Sequence, residues 1–201
     1  EDEMEAFRAF ARVYPDTVLL IDTYDTLRAV RKVIDMAHAL GGDFKVSGLR
    51  LDSGDLAALS REARRMLDDA GLQRVQLVAS GNLDEYRVAQ LVGEGAPFDT
   101  FGVGTAMGVS SDAPSLDIAY KLAEYGGRGR GKLAKDKPVY PGRKQVFRVE
   151  ADGRDAHDVI GRYEESLPGR PLLRPVMCEG GRLPDATPSL EAVRAYVRAQ
   201  I

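Results

Sequence analysis

Four times within the first 105 residues a short run of aliphatic or aromatic residues ends in a polar or glycine-containing turn: LLIDTYDT at 19–26, SGLRLDSGDL at 47–56, LVASGNLDE at 77–85 and DTFGVGT at 99–105. Between these runs lie segments with apolar residues at helical spacing, at about 26–40, 55–70 and 84–93, and the strands themselves fall near 17–21, 45–51, 74–79 and 100–103. Strand, turn and helix in alternation imply βαβ units and a parallel sheet. In such folds ligands bind at the carboxyl ends of the strands, where the following helices aim unpaired N–H groups. The repeated turns therefore concentrate carboxylates, an arginine and glycine turns at one end of a sheet. Strand starts come about 28 residues apart, a spacing shared by open doubly wound sheets and closed (β/α) barrels, so the pattern alone leaves closure open.

The helices carry their own punctuation. Asp55 or Ser53 can cap the second, Gly71 ends it, and Asn82 can cap the third. Ahead of them EDEMEAFRAFARVY reads as an amphipathic helix broken at Pro15 and Asp16. Beyond residue 105 a helix is expected over about 114–125, then a basic, glycine-rich stretch. QVFRVE at 145–150 alternates like a strand, and a last helix runs from Ser189 to Arg198. The expected division is an α/β domain over 1–150 and an extension over 151–201.

Composition narrows the function. An apolar fraction of 44%, 29% charged residues and a net charge of −3 disfavour general affinity for nucleic acid or anionic membrane, which points to a small-molecule partner. The single cysteine, Cys178, cannot form an internal disulfide, and no apolar run is long enough for a membrane span or signal peptide; a cytoplasmic location is expected. The chain starts at Glu1 in the middle of a helical pattern and reads as a fragment.

Asp22 and Asp25, three apart past a buried strand, can orient a ribose hydroxyl or hydrated Mg²⁺, or merely form a turn and helix cap. Arg50 and Asp52 share strand parity before Ser53-Gly54; they can be a simple ion pair, or a guanidinium for a planar anion beside a carboxylate for a sugar hydroxyl. Ser80-Gly81-Asn82 and Gly102-Val103-Gly104-Thr105 are turns in which missing Cβ atoms let backbone N–H groups approach phosphate oxygens. Neither matches a P-loop or the dinucleotide fingerprint. His38 and His157 are expected to be structural or solvated.

GLRLDSGDL, ASGNLDE, GAPFDTFGVGT, DAPSLDIAYKL and PGRKQVFR, in this order and spacing, resemble the carboxyl-terminal half of nicotinate phosphoribosyltransferase. The resemblance implies part of an irregular (β/α) barrel of the type II phosphoribosyltransferase kind, with a separate amino-terminal α/β domain and a phosphorylated histidine upstream of residue 1. It further implies conversion of nicotinate and 5-phosphoribosyl 1-pyrophosphate to nicotinate mononucleotide and pyrophosphate, with Mg²⁺ and with ATP as co-substrate, in NAD biosynthesis by a homodimer. On matching motifs, Asp22 and Arg50 would lie near base and ribose, Asp52 would hold ribose hydroxyls, and Ser80, Gly81, Asn82, Gly102, Gly104 and Thr105 would cradle the 5′-phosphate. Asp25, Ser53 and Gly54 join this set, and Lys132, Lys137 and Lys144 would meet pyrophosphate or ATP from a flap. Asn82 departs from the aspartate of several relatives, keeping an acceptor but losing a charge. The alternatives are a nicotinamide or quinolinate phosphoribosyltransferase, or a non-catalytic nucleotide-binding remnant. No dedicated protein metal site is expected.

Overall fold

The computed structural model describes residues 2–110, 112, 116, 118–131 and 139–200. The chain is mixed α/β and forms two compact units, one of residues 1–125 with 130–141, the other of 126–129 with 142–201. In the first unit the order is α1 (Glu3–Val13), β1 (Val18–Leu20), α2 (Thr26–Leu40), β2 (Gly48–Leu51), α3 (Leu56–Asp69), β3 (Gln76–Ala79), α4 (Glu85–Gly93), β4 (Thr100–Phe101) and α5 (Thr105–Gly108). The strand β5 (Glu124–Tyr125) follows in this unit, and β6 (Arg128–Gly129) belongs to the second.

β1 to β4 are all parallel and lie side by side in chain order, with Val18 opposite Gly48, Leu49 opposite Leu77 and Val78 opposite Thr100. Chain-order neighbours joined by helical crossovers of one hand put those helices on one face. The burial pattern agrees. Leu19, Leu49, Leu51, Leu77 and Ala79 are buried and pack in one core with Val30, Val33 and Met36 of α2, Leu56, Ala63 and Leu67 of α3 and Leu91 of α4. Each such large aliphatic side chain contributes about 1.5–3 kcal/mol on burial. The alternate strand positions behave otherwise: Val18, Arg50, Gln76 and Thr100 are exposed, and Leu20 and Val78 only half-buried. Parallel sheets are ordinarily covered on both faces; among the described residues, this one is covered on one.

The helices start where their side chains can satisfy the first backbone N–H groups. Asp25 accepts from Arg28 N at 2.8 Å, Asp55 from Ala58 N at 3.0 Å and Asp84 from Arg87 N at 2.7 Å. The third cap is thus Asp84 rather than the expected Asn82, whose backbone sits at φ +50 in the turn before it. Leu83, just ahead of that cap, is buried, and Val88 packs against the same core, a hydrophobic staple that fixes the entry to α4. Arg64 of α3 donates to the carbonyls of Val75 (2.7 Å) and Leu72 (3.1 Å), tying the end of that helix to the start of β3.

The helix expected over 114–125 is not formed: among the described residues there, 116 and 118–123 have no regular structure and Glu124–Tyr125 is a strand. Leu116, Ile118, Tyr120 and Leu122 recur every second residue, not every third or fourth, and all are exposed, so no helical face is buried.

The second unit is built on an antiparallel hairpin, β7 (Lys144–Ala151) and β8 (Arg154–Arg162), turning through Asp152 and Gly153 at positive φ, with β9 (Arg170–Pro171) on the other edge of β7. The expected 145–150 strand lies in this unit. A small hairpin, β10 (Met177–Cys178) with β11 (Gly181–Arg182), precedes α6 (Leu190–Arg198), which Ser189 caps as expected. Arg148 donates to Asp158 at 2.8 and 3.0 Å and to Asp155 at 3.0 Å, and Arg143 lies 3.5 Å over the Tyr163 ring.

Candidate functional site

Register between neighbouring strands sets the site. The ladder continues one residue past each strand: Ile21 N–H donates to the Arg50 carbonyl (3.1 Å), Ser80 N–H to that of Leu51 (2.9 Å) and Gly102 N–H to that of Ala79 (2.8 Å). The four tips are therefore aligned, and the residues that follow them face one another across adjacent strands.

Two clefts open there. The first, of about 560 Å³, lies at the tips of β1 and β2 and is lined by Asp22, Tyr24, Asp25, Thr26, Ser53, Gly54, Asp55 and Glu62 among others. Four carboxylates give it a strongly negative field. Asp22 is 2% exposed and accepts a hydrogen bond from the Ser53 hydroxyl. Asp25 and Asp55 are committed to helix caps, and the hydrogen bond from Arg65 holds the Glu62 carboxyl below its ordinary value.

The second cleft, of about 450 Å³, lies at the tips of β2, β3 and β4 and is lined by Asp52, Ser80, Gly81, Asn82, Leu83, Asp84, Gly102, Gly104, Thr105, Ala106 and Val109. The Ser80 hydroxyl donates to Asp52 Oδ1 at 2.7 Å. Gly81 stands at φ +90, and a Cβ there would overlap the Asp52 carbonyl oxygen, so only glycine lets the β3 tip approach β2 this closely. Gly104 has no heavy atom within 4 Å of where a Cβ would stand, so the space beside it is open. Among the described residues, the backbone N–H groups of Gly81, Asn82, Gly104 and Thr105 find no acceptor. Amide donors in a turn without side chains suit a phosphate, which brings three acceptor oxygens.

The structure thus gathers Asp52, Ser80, Gly81, Asn82, Gly102, Gly104 and Thr105 in one cleft and Asp22, Asp25, Ser53 and Gly54 in its neighbour. Arg50 lines neither. It is exposed on the uncovered face of the sheet and its guanidinium makes no ion pair or hydrogen bond among the described residues, so its pairing with Asp52 is not formed. Lys144, in the second unit, donates to the Gly142 carbonyl at 2.6 Å, and Lys132 and Lys137 lie outside the described residues. Asp55, Glu62 and Asp84 were not among the expected site residues. Asp55 and Asp84 are the N-cap residues of α3 and α4, a signal that any ordinary cap also gives, and Glu62 lies in the second turn of α3. No group of three or more His, Cys, Asp or Glu among the described residues has the geometry to hold a metal ion. A third hollow of about 370 Å³, lined by Arg12, Tyr14, Phe44, Lys45 and others, lies at the opposite strand ends and contains none of the expected residues.

No family model matches the chain. Individual proteins do. The nicotinate phosphoribosyltransferase pncB2 of Mycobacterium tuberculosis is 51% identical over 201 residues, which is 100% of this chain and 43% of the relative. This chain is homologous to part of nicotinate phosphoribosyltransferase. The Bacillus subtilis enzyme of that name is 38% identical over 182 residues (86% of this chain, 37% of the relative), and the human one 36% over 179 residues (83% and 33%). The chain therefore spans less than half the length of the curated relatives it matches. Among solved structures, a nicotinate-nucleotide pyrophosphorylase from Pyrococcus furiosus aligns with 99% of this chain and 50% of its own at 28% identity and a TM-score of 0.44. No described helix is long and apolar enough to cross a membrane.

Proposed function

We propose that this chain supplies the nucleotide-holding part of a nicotinate phosphoribosyltransferase, which forms nicotinate mononucleotide and pyrophosphate from nicotinate and 5-phosphoribosyl 1-pyrophosphate, coupled to ATP hydrolysis. The observation that carries this reading is the amide-lined cleft at Gly81 and Gly104, with Asp52 on its wall. There the 5′-phosphate accepts from backbone N–H groups and Asp52 takes ribose hydroxyls. Arg50 offers a guanidinium to the nicotinate ring or its carboxylate. Displacement at the anomeric carbon passes through an oxocarbenium-like transition state, which nearby carboxylates stabilise electrostatically, and no protein nucleophile is needed.

Mg²⁺ fits the donor set in one way only. With no three-ligand cluster among the described residues, it would be held by one or two strand-end carboxylates, Asp22 foremost, together with substrate phosphates, as is common for this ion. Bound there it would neutralise charge on the departing pyrophosphate. The same reading takes β1 to β4 as a segment of an irregular (β/α) barrel: chain-order neighbours without reversal, and a sheet covered on one face, match a barrel wall whose inner face carries Arg50. A homodimer and a cytoplasmic setting belong to the same proposal.

Calorimetric titration with nicotinate mononucleotide tests it: binding that competing nicotinate weakens more than nicotinamide or quinolinate supports this reading over those two relatives. No binding by the folded chain would overturn it. Turnover restored by adding the remaining part of the enzyme as a separate chain would exclude a non-catalytic remnant.

A further inference from the structure

Two serines at the strand tips have partners that change the role expected of them. Ser53, past β2, gives its hydroxyl hydrogen to Asp22, past β1; Ser80, past β3, gives its own to Asp52 Oδ1 at 2.7 Å. Each tip thus reaches back to the aspartate of the strand before it, and Asp52 and Ser53 being consecutive, the two pairs lock three tips together. Asp22 is 2% and Ser80 8% exposed, so each bond has one buried partner, and a hydrogen bond to a charged group gains where water is partly excluded. Gly81 adds a reason why Ser80 reaches this far, since its missing Cβ is what lets the β3 tip close on the Asp52 backbone.

A serine hydroxyl has one hydrogen. While Ser80 gives it to Asp52, it cannot also give it to a phosphate oxygen, and the open N–H groups of Gly81, Asn82, Gly104 and Thr105 are the donors left for that task. We propose, on the functional reading above, that Ser53 and Ser80 are positioning residues: each orients an aspartate toward the ribose side of the ligand, and neither binds the phosphate directly.

A double-mutant cycle on Ser80 and Asp52 separates this from direct contact. The parent, S80A, D52A and S80A/D52A are titrated calorimetrically with nicotinate mononucleotide and with its phosphate-free nucleoside, nicotinate riboside. Expected is a loss of roughly tenfold for S80A with both probes, the size of one hydrogen bond to a charged group, and no further loss when S80A is added to D52A. A loss confined to the phosphorylated probe, or one that adds fully to that of D52A, would overturn the proposal. Ser53 gives an independent check: S53T keeps the hydroxyl and should recover most of the affinity lost in S53A, whereas equal losses would contradict it. Should the parent bind neither probe, the functional reading fails while the pairing remains readable in ligand-free urea unfolding. There, non-additive S80A and D52A effects support the serine–aspartate couple and additive ones refute it. If S80A does not fold, the Ser53 pair carries the same comparison.

Discussion

The two strand-end clefts are neighbours built by the same repeated unit, yet chemically opposite. The β1–β2 cleft presents Asp22, Asp25, Asp55 and Glu62, a field that repels phosphate and attracts cations or hydroxyl hydrogens. The β2–β3–β4 cleft has three glycines, Gly81, Gly102 and Gly104, and two acidic groups, Asp52 and Asp84, where its neighbour has Gly54 and four. A βαβ repeat thus fixes where side chains stand, and the turn residues alone decide which charge the place accepts. A phosphorylated sugar spanning both clefts would have only one orientation, phosphate toward Gly104 and hydroxyls or a hydrated cation toward Asp22.

Substitutions break this contrast by graded amounts. The largest effect is expected of Gly81→Ala, which forces a Cβ into the Asp52 carbonyl at φ +90. It should cost about 3 kcal/mol or more in urea unfolding and abolish nucleotide binding, since tip packing and cleft fail together. Asp22→Ala comes next. It leaves the half-buried Ser53 hydroxyl without its acceptor and should cost about 1–3 kcal/mol while leaving inorganic phosphate binding in the other cleft unchanged. Gly104→Ala inverts that outcome. With no atom within 4 Å of the new Cβ, stability should change by less than about 0.5 kcal/mol, but phosphate affinity should fall about tenfold.

The smallest effect concerns charge in the acidic cleft. Because Arg65 donates to Glu62, its carboxyl titrates below the ordinary glutamate value. The pair's contribution to stability is present above the unfolded-state value near pH 4.3 and lost as pH falls through the depressed folded value. A carboxyl-resolved NMR titration should show Glu62 moving up when Arg65 is replaced by alanine; an unmoved Glu62 would remove Arg65 as the cause.

Most of the first unit was legible because local and periodic signals agree over residues 17–103. Apolar spacing gave each helix, and turn residues marked each strand end. The misplaced cap shows the limit of that reading: Asn82 and Asp84 are both good caps, and only the burial of Leu83 between them decides for the second. The expected helix at 114–125 was lost because Leu116, Ile118, Tyr120 and Leu122 are apolar without the spacing to form a buried helical face. At the site, residue identities were readable but their pairing was not. Whether Ser80 meets a ligand or Asp52 depends on the register between β2 and β3, which no single segment encodes.

The central claim is that the Gly81–Gly104 cleft takes the phosphate of a pyridine nucleotide. An amide-resolved NMR titration of this chain with nicotinate mononucleotide, and then with its phosphate-free nucleoside, tests it most directly. Shifts at Gly81, Asn82, Gly104 and Thr105 that appear only with the phosphorylated ligand, alongside shifts near Asp52 with both, are the predicted result. A dispersed spectrum in which those four amides ignore the nucleotide would contradict it.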